Sequence, residues 1–335
     1  MGLLKAAVIG VGEMGRHHAR IYGNLPTTEL VAVADWNRST AARVADRYRV
    51  RFYTDYRHLL ASTTPDIVSV AVPTVMHYKV ALAALQHGCH VLVEKPIAAT
   101  EVEAEGLIAE AQRLDLRLMV GHIMRFDPAI QLLRARLKAQ QLGKVQLITC
   151  RRLGPSPQRI RDVGVVRDLA IHDADIIQYL VEQPVVRVMA ETFQRPDQEF
   201  EDAVFGILVF DDLLGMVNVN WLTPMKVREV LVVGERGMDR VDCLTQDLYF
   251  HEGVGDLVEY WDTMKLLRGV GEGKVTRYPI QKIEPLKLEI MAFVQSVLED
   301  RPPPVTGHDG LMALRLVQGF LESARTQQPV IFWKE

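Results

Sequence analysis

Lys95 stands in a sequence that suits proton transfer to or from a bound substrate. It follows the strand-like run Val91–Glu94, and Pro96 after it disfavours helical backbone, so Lys95 is expected in extended chain where a strand ends. In a doubly wound sheet, the carboxyl ends of the strands open onto the ligand crevice. A lysine at that edge would relay a proton or polarise a substrate oxygen; the alternative is an exposed lysine before a turn.

Asp168 and His172 form a second pair that suits proton transfer. They lie four residues apart in a helix predicted over Asp168–Glu182, and therefore on one face of it. A histidine beside a carboxylate can exchange a proton near neutral pH, as the oxidation of an alcohol requires. Asp168 could instead cap the helix, and His172 could be structural. Asp175 would complete a metal site, but no further ligand cluster is evident, so no metal is expected.

The segment that ends at Asp35 predicts a dinucleotide-binding unit. An apolar run meets G-V-G-E-M-G at residues 10–15, and a second apolar run ends at Asp35, twenty positions after Gly15. Gly10 allows the tight turn, Gly12 lets the backbone approach a pyrophosphate, and Gly15 lets the helix pack on the strand. The N-terminus of that helix attracts phosphate. The combination favours a dinucleotide site over a glycine-rich turn in an unrelated α/β protein.

The acid at the end of this unit indicates which dinucleotide binds. The carboxylate of Asp35 would accept hydrogen bonds from the adenosine ribose and repel a 2′-phosphate. Arg38, three residues later, could partly offset that repulsion. We therefore expect NAD as the cofactor, with NADP as a possible second.

Two different patterns of predicted secondary structure along the chain indicate two domains. The first 120 residues alternate strand and helix, as in a doubly wound parallel sheet. From about residue 144, strand-like segments dominate, several of them alternating as in an antiparallel sheet with one covered face. We expect a Rossmann domain over residues 1–122 and an α+β substrate-binding and oligomerisation domain over 123–335. The C-terminal helices, predicted at Leu286–Leu298 and Gly310–Thr326, could pack back on the first domain.

Composition limits the classes of protein and partner. The chain has 335 residues, 48% of them hydrophobic and 24% charged, with a formal net charge of −3. This composition is typical of a globular protein and gives no reason to expect nucleic acid or an anionic membrane as a partner. Three scattered cysteines, Cys89, Cys150 and Cys243, lack metal spacing and favour a reducing compartment. We expect a cytoplasmic location, because strand-like sequence begins at once and no apolar run is long enough to cross a membrane.

Taken together, these motifs resemble the Gfo/Idh/MocA oxidoreductases. The resemblance rests on GVGEMG, on VEKP around Lys95, on GHIMRFDP over Gly121–Pro128 and on the D-x-x-x-H of Asp168 and His172. It covers nearly the whole chain and implies a Rossmann domain followed by a domain with an open-faced, mainly antiparallel sheet, with nicotinamide and a sugar between them. In that family the lysine and the D-x-x-x-H pair serve the oxidation of a sugar hydroxyl, so the implied catalytic residues are Lys95, Asp168 and His172.

The same resemblance assigns further residues to the cofactor and the substrate. The cofactor set is Gly10, Gly12, Glu13, Met14, Gly15, Asp35, Pro73, Thr74, His77, Glu94 and Lys95. The substrate set includes His122, Arg125 and His172.

Five arginines narrow the class of substrate. They lie between residues 151 and 168: Arg151, Arg152, Arg159, Arg161 and Arg167. Because a planar guanidinium suits phosphate oxygens, Arg159 and Arg161 are predicted to bind the diphosphate of a nucleotide sugar. The alternative is a solvated loop with surface salt bridges. The phrase RIRDVGVVxDLAxHDxD also resembles the branch of the family that oxidises the 3-hydroxyl of UDP-N-acetylglucosamine.

The implied function is NAD-dependent oxidation of a sugar hydroxyl, foremost the 3-hydroxyl of UDP-N-acetylglucosamine. An inositol or aldose dehydrogenase, an NAD-requiring glycosidase and a catalytically silent NAD(H)-binding regulator are the alternatives. Exposure of the antiparallel sheet would favour a homo-oligomer, either a dimer or a tetramer. The expected partner is a small sugar, with neither nucleic acid nor membrane.

Overall fold

The computed structural model describes residues 2–156, 163–253 and 273–332. The chain divides into two compact units, of which the first comprises Met1–Ile123 and Glu284–Arg315 and the second comprises Met124–Ile283 and Leu316–Glu335. Within the described ranges, none of the helices combines the length and the apolar character that crossing a bilayer requires.

The helices follow the amphipathic stretches of the sequence. They are α1 (Gly15–Tyr22), α2 (Arg38–Tyr48), α3 (Tyr56–Thr63), α4 (Thr74–Gln86), α5 (Glu101–Arg113), α6 (Pro128–Lys138), α7 (Ile171–Val181), α8 (Pro285–Leu298) and α9 (Gly307–Thr326). Polar side chains at the N-cap fix several starts; at α5, for example, Thr100 and Glu103 form a reciprocal capping box. The division between the two units falls within α9, after Arg315.

A parallel sheet forms the centre of the first unit. Its strands are β1 (Leu4–Ile9), β2 (Thr28–Ala34), β3 (Arg51–Tyr53), β4 (Ile67–Val70), β5 (His90–Glu94) and β6 (Leu118–Gly121). They pair in parallel in the order β3-β2-β1-β4-β5-β6. The order reverses between β1 and β4, and ligands of such sheets bind outside the carboxyl ends at this switch point. The predicted Rossmann architecture is confirmed.

A nine-stranded sheet forms the second unit. Its strands are β7 (Val145–Pro155), β8 (Arg187–Phe193), β9 (Ala203–Val209), β10 (Leu214–Asn220), β11 (Leu222–Gly234), β12 (Gly237–Asp242), β13 (Asp247–Glu252), β14 (Val275–Tyr278) and β15 (Val330–Ile331). Their order is β14-β13-β12-β11-β7-β10-β9-β8-β15. Only β10 and β7 pair in parallel among these strands, so the sheet is mainly antiparallel, as predicted.

One face of this second sheet is covered by helices. A Cβ added at Gly206 would lie 2.8 Å from the ring of Phe320 on α9, and one at Gly215 would lie 2.9 Å from Ile177 on α7. The glycines therefore let the helices pack close to the strands. Along β8, β9 and β10, alternate side chains point away from these helices and remain exposed. This unit is open-faced, as the family resemblance implied.

Candidate functional site

The glycine loop between β1 and α1 is shaped to receive a diphosphate. Gly10 has φ +84°, in the left-handed region that favours glycine, and a Cβ there would lie 2.5 Å from the carbonyl oxygen of Ala71. A Cβ on Gly15 would overlap the carbonyl oxygen of Gly10, so this pair sets the close approach of α1 to β1. Gly12 has only open space where its Cβ would lie. That space fits the pyrophosphate of NAD.

The first turn of α1 completes this cradle. The side chain of the N-cap residue Met14 makes no capping hydrogen bond, and the backbone N–H groups of Arg16 and His17 donate to the carbonyl oxygens of Gly12 and Met14. Glu13 is exposed beside it and Met14 is half-buried. An uncapped helix N-terminus that follows a glycine loop favours an anion.

Asp35 anchors the loop as well as facing the expected ribose. Its Oδ2 accepts a hydrogen bond from the backbone N–H of Val11 at 3.0 Å, and its Oδ1 accepts one from Asn37 at 2.9 Å. The guanidinium of Arg38 lies 5.3 Å from the centre of the Phe52 ring. Arg38 therefore has an aromatic partner, whereas the charge of Asp35 is the feature that opposes a 2′-phosphate.

Pro73 follows β4 and caps α4, Thr74 is the first residue of that helix, and His77 lies one turn further along it. Both ring nitrogens of His77 face carbonyl oxygens, Nδ1 that of Pro96 at 2.7 Å and Nε2 that of Val72 at 2.9 Å. Burial lowers the pKa of His77, because the charged ring would lose its hydration there. The buried ring of His77 thus connects the segment after β4 to the segment after Lys95.

Glu94 and Lys95 lie where β5 ends. Lys95 is half-buried, whereas the carboxylate of Glu94 is directed inward and lies 3.0 Å from Nε2 of His18. Burial alone would raise the pKa of Glu94, but the hydrogen bond and charge of His18, with the charges of Lys95 and His77, outweigh it and lower that pKa. His122, just beyond β6, is fully buried. Sequence reasoning missed His18, because its partners Ser69 and Glu94 lie 51 and 76 residues away along the chain.

In the second unit, Asp168 and His172 do not share one regular helix. Residues Val166–Ala170 form a π-helical turn, and α7 begins only at Ile171, which corrects the single helix predicted over Asp168–Glu182. Asp168 lies within the turn and is therefore not a helix cap. Both side chains are half-buried. Such turns are frequent at functional sites because they change which side chains face a cleft.

A half-buried carboxylate from the connection before β9 stabilises this turn. Oε1 of Glu201 accepts a hydrogen bond from the backbone N–H of Val166 at 3.0 Å, and the Glu201 carbonyl accepts one from Val165 at 3.1 Å. Arg228 on β11 donates to the carbonyl oxygen of Leu153 at 2.6 Å and lies close enough to Asp168 to interact with its charge. Neither Glu201 nor Arg228 was identified from the sequence.

The other two acids of this segment form buried ion pairs. Arg152 donates from Nε to Asp173 at 2.9 Å, and Arg125 donates to both oxygens of Asp175 at 3.0 Å. The carboxylate of Asp175 is therefore engaged in an ion pair with Arg125. This argues against the alternative in which Asp175 binds a metal together with Asp168 and His172. Arg125, expected from the resemblance to face the substrate, is itself buried in this pair.

The five arginines of the 151–168 segment also separate. Arg151 pairs with Glu229 at 3.2 Å, and Arg152 is engaged by Asp173 as described. Arg167 is exposed, whereas Arg159 and Arg161 lie outside the described residues. Only these last three can still be assigned to a phosphate.

Comparison with known proteins supports this arrangement along the chain. The model of an oxidoreductase family with an NAD-binding Rossmann fold matches residues 4–122, and that of the GFO/IDH/MocA C-terminal domain matches residues 130–239. UDP-N-acetylglucosamine 3-dehydrogenase of Acidithiobacillus ferrooxidans is 31% identical over 89% of this chain and 90% of its own. Myo-inositol 2-dehydrogenase of Thermotoga maritima is 24% identical over 93% and 94%.

A solved structure extends the likeness to three dimensions. A crystal form of the Acidithiobacillus ferrooxidans UDP-N-acetylglucosamine 3-dehydrogenase superimposes with a TM-score of 0.86, at 28% identity over 97% of this chain and 99% of that one.

Proposed function

The chain belongs to the Gfo/Idh/MocA family of oxidoreductases, and from that premise we propose that it oxidises the 3-hydroxyl of UDP-N-acetylglucosamine to the 3-keto sugar. It is an NAD-binding oxidoreductase that acts on CH–OH groups, and the likeness to dehydrogenases speaks against the silent regulator considered from the sequence. The observation that carries the substrate proposal is the likeness to a UDP-N-acetylglucosamine 3-dehydrogenase along almost the full length of both chains.

The roles of individual residues follow from the chemistry of the reaction. Bound NAD⁺ supplies the hydride acceptor. As the carbinol carbon loses its hydride, the C–O bond becomes a carbonyl and the hydroxyl proton must leave. We assign that proton to His172, oriented by Asp168, with Lys95 polarising the substrate oxygen or relaying the proton. One sugar and one NAD⁺ thus yield one ketone, one NADH and one proton.

The cofactor roles rest on the shape of the first unit. Gly10, Gly12 and Gly15 with the start of α1 would hold the pyrophosphate, and Asp35 the adenosine ribose. Pro73 and Thr74 would line the opposite side of the switch point, with His77 supporting them from behind.

A diphosphate anchor distinguishes a nucleotide sugar from a free sugar. Because Arg151 and Arg152 already have acidic partners, the proposal assigns the diphosphate to Arg159 and Arg161. Charge-assisted bonds contribute about 1.5–3 kcal/mol each, so replacing both with glutamine should raise KM for a UDP-sugar by one to two orders of magnitude. We expect kcat to change less, because the diphosphate binds ground and transition states alike. Arg151→Gln, which removes a paired arginine, is the matched control.

A panel of UDP-sugars, free hexoses and inositols with NAD⁺, followed by NADH absorbance, tests the substrate. Preferential turnover of UDP-N-acetylglucosamine, with loss of that preference in the double arginine variant, supports the proposal. Efficient oxidation of free inositol, with no effect of the arginine changes, would instead favour an inositol dehydrogenase. The likeness to the Thermotoga maritima enzyme supports this second candidate.

We also propose that the enzyme is a homo-oligomer joined through the open face of its second sheet. Met189, Ile207 and Met216 stand directly opposite one another on β8, β9 and β10, and all three are exposed. Further exposed apolar side chains on the same strands are Phe193, Phe205 and Leu214. An apolar face of this kind is costly in water and suits a second copy of the same sheet.

A further inference from the structure

Behind the end of β5 lies a row of four hydrogen-bonded side chains. The hydroxyl of Tyr22 is 2.9 Å from Oγ of Ser69, which is 3.0 Å from Nδ1 of His18, and Nε2 of His18 is 3.0 Å from Oε1 of Glu94. The row joins α1, β4 and β5. Tyr22 and Ser69 are 0% exposed and His18 is 1% exposed.

The chemistry of the groups fixes the direction of the bond between His18 and Glu94. The Glu94 carboxylate can only accept, so Nε2–H of His18 donates to it. Nδ1 of His18 lies against Oγ of Ser69, and the hydroxyls of Ser69 and Tyr22 can each donate or accept. Burial raises the pKa of Tyr22, which keeps its phenol protonated and able to donate. Each member therefore has a hydrogen-bond partner within the row.

The row ends inside the protein. Tyr22 is fully enclosed, and the neighbouring charge is that of Glu289 on α8, which is itself fully buried and adds to the rise in the Tyr22 pKa. A path that stops at a buried phenol cannot deliver protons to water. Ser69, although it contacts a histidine that contacts a carboxylate, is equally enclosed and cannot attack a substrate. The arrangement therefore holds groups in place rather than conducting protons or forming a nucleophile.

We propose that Tyr22, Ser69 and His18 form a brace that fixes the Glu94 carboxylate and thereby positions Lys95, the next residue in the chain. The inference rests on the proposed function, in which Lys95 serves the oxidation of a substrate hydroxyl. Beyond Lys95, His77 binds the carbonyl oxygen of Pro96, and before Lys95, where β5 ends, the side chain of Glu94 anchors the chain. His18 is a positioning residue that acts through Glu94.

Two replacements of His18 separate the brace from simple packing. The amide nitrogen of glutamine can occupy the place of Nε2, so His18→Gln keeps the donor to Glu94. His18→Leu fills the volume without any donor and leaves the carboxylate unsatisfied. We expect kcat to fall by about tenfold or more in the leucine variant, as for other displaced catalytic groups, and by much less in the glutamine variant, with NAD affinity retained in both. His58→Leu, at an exposed histidine on α3, is the matched control.

The pH profile supplies a readout that packing alone would not move. The charges near Glu94 are those of His18, Lys95 and His77, and its pKa lies below its ordinary 4.5 while the brace is intact. Without the His18 donor, burial dominates and the carboxylate protonates at higher pH. The acidic limb of kcat/KM should therefore shift to higher pH in His18→Leu and stay in place in His58→Leu.

The outcomes separate the brace from the proposed function. Wild-type kcat and pH profile in a folded leucine variant, or equal losses in the leucine and glutamine variants, would overturn the brace. If the wild type oxidises none of the sugars, the proposed function fails, and thermal unfolding of wild type against Glu94→Gln still tests the brace. A lowered pKa stabilises the fold above 4.5 and the benefit disappears as pH falls through the folded value, so the wild-type advantage should shrink below 4.5. An advantage independent of pH contradicts it.

Discussion

Lys95 and His172 are half-buried side chains. In the proposed reaction they serve the removal of the proton from the substrate hydroxyl. Replacing either with alanine should lower kcat by roughly 10²–10⁴-fold, the usual contribution of a positioned acid or base. NAD affinity should be nearly unchanged, because neither side chain is assigned to the phosphates or the ribose. Stopped-flow or steady-state NADH formation, together with a cofactor titration, measures both quantities.

Matched controls come from exposed residues of the same type. Lys79→Ala on α4 and His308→Ala on α9 remove the same groups from the surface and should leave kcat unchanged. A near wild-type rate in Lys95→Ala or His172→Ala would remove that residue from the mechanism.

Asp35 combines two tasks, which dictates how its role in cofactor choice must be tested. Both of its oxygens hold backbone N–H groups, so alanine would loosen the loop as well as remove charge. Asp35→Asn keeps one acceptor and removes the repulsion of a 2′-phosphate. We expect tighter NADP binding and weaker NAD binding in this variant, measured by titration of both cofactors.

Asp55→Asn is the control, because Asp55 likewise accepts a backbone hydrogen bond, at the start of α3, away from the glycine loop. Wild-type protein that prefers NADP would contradict the assignment of Asp35.

At the scale of elements, alanine substitutions at Gly12, just before α1, and at Gly15, its first residue, should have different effects. Gly12→Ala adds a methyl group to open space, so stability should be kept while NAD affinity falls roughly tenfold, or about 1.4 kcal/mol. Gly15→Ala forces a methyl group onto the Gly10 carbonyl oxygen, and the resulting overpacking should cost about 1–3 kcal/mol of folding free energy. Thermal unfolding and NAD titration of both variants distinguish the two effects. Equal stability of the two variants would contradict the packing role of Gly15.

The elements that sequence predicts best are those whose signal is local. The buried parallel strands are short apolar runs, and β1 with its glycine loop was therefore evident. The strands β12, β13 and β14 were missed because polar side chains interrupt their alternation. Asp239 on β12 is fully buried, and its partner Arg136 at 2.8 Å lies 103 residues away. In the sequence alone, a charged residue in a strand cannot be told from a loop residue, because the partner that allows its burial lies far away along the chain.

The same distinction applies to the candidate site. The glycines and Lys95 were identified because their spacing along the chain carries the signal. The π-helical turn at Asp168 was not, because Glu201, which holds its first N–H, is supplied by a remote segment. His18 was missed for the same reason, since Ser69 and Glu94 come from other strands.

At the scale of the molecule, the open face of the second sheet predicts self-association. Ile207→Lys places a charge in the centre of the exposed row and should shift the protein to a smaller species, because burying an unpaired charge is costly. Val275→Lys, an equally drastic change at an exposed position on β14 of the same sheet, should not. Sedimentation or light scattering gives the masses. A wild-type monomer, or no change in Ile207→Lys, would contradict the proposed interface.

The enclosed row from Tyr22 to Glu94 also has a spectroscopic consequence. Its hydrogens on oxygen and nitrogen lie where solvent does not reach, so they can exchange with deuterium only when the first unit opens. The Nε2–H of His18, donated to a carboxylate, should then give a slowly exchanging downfield proton resonance in the intact enzyme. That resonance would report on the hydrogen bonds next to Lys95 without any label. It can be recorded as each cofactor and sugar is added in turn.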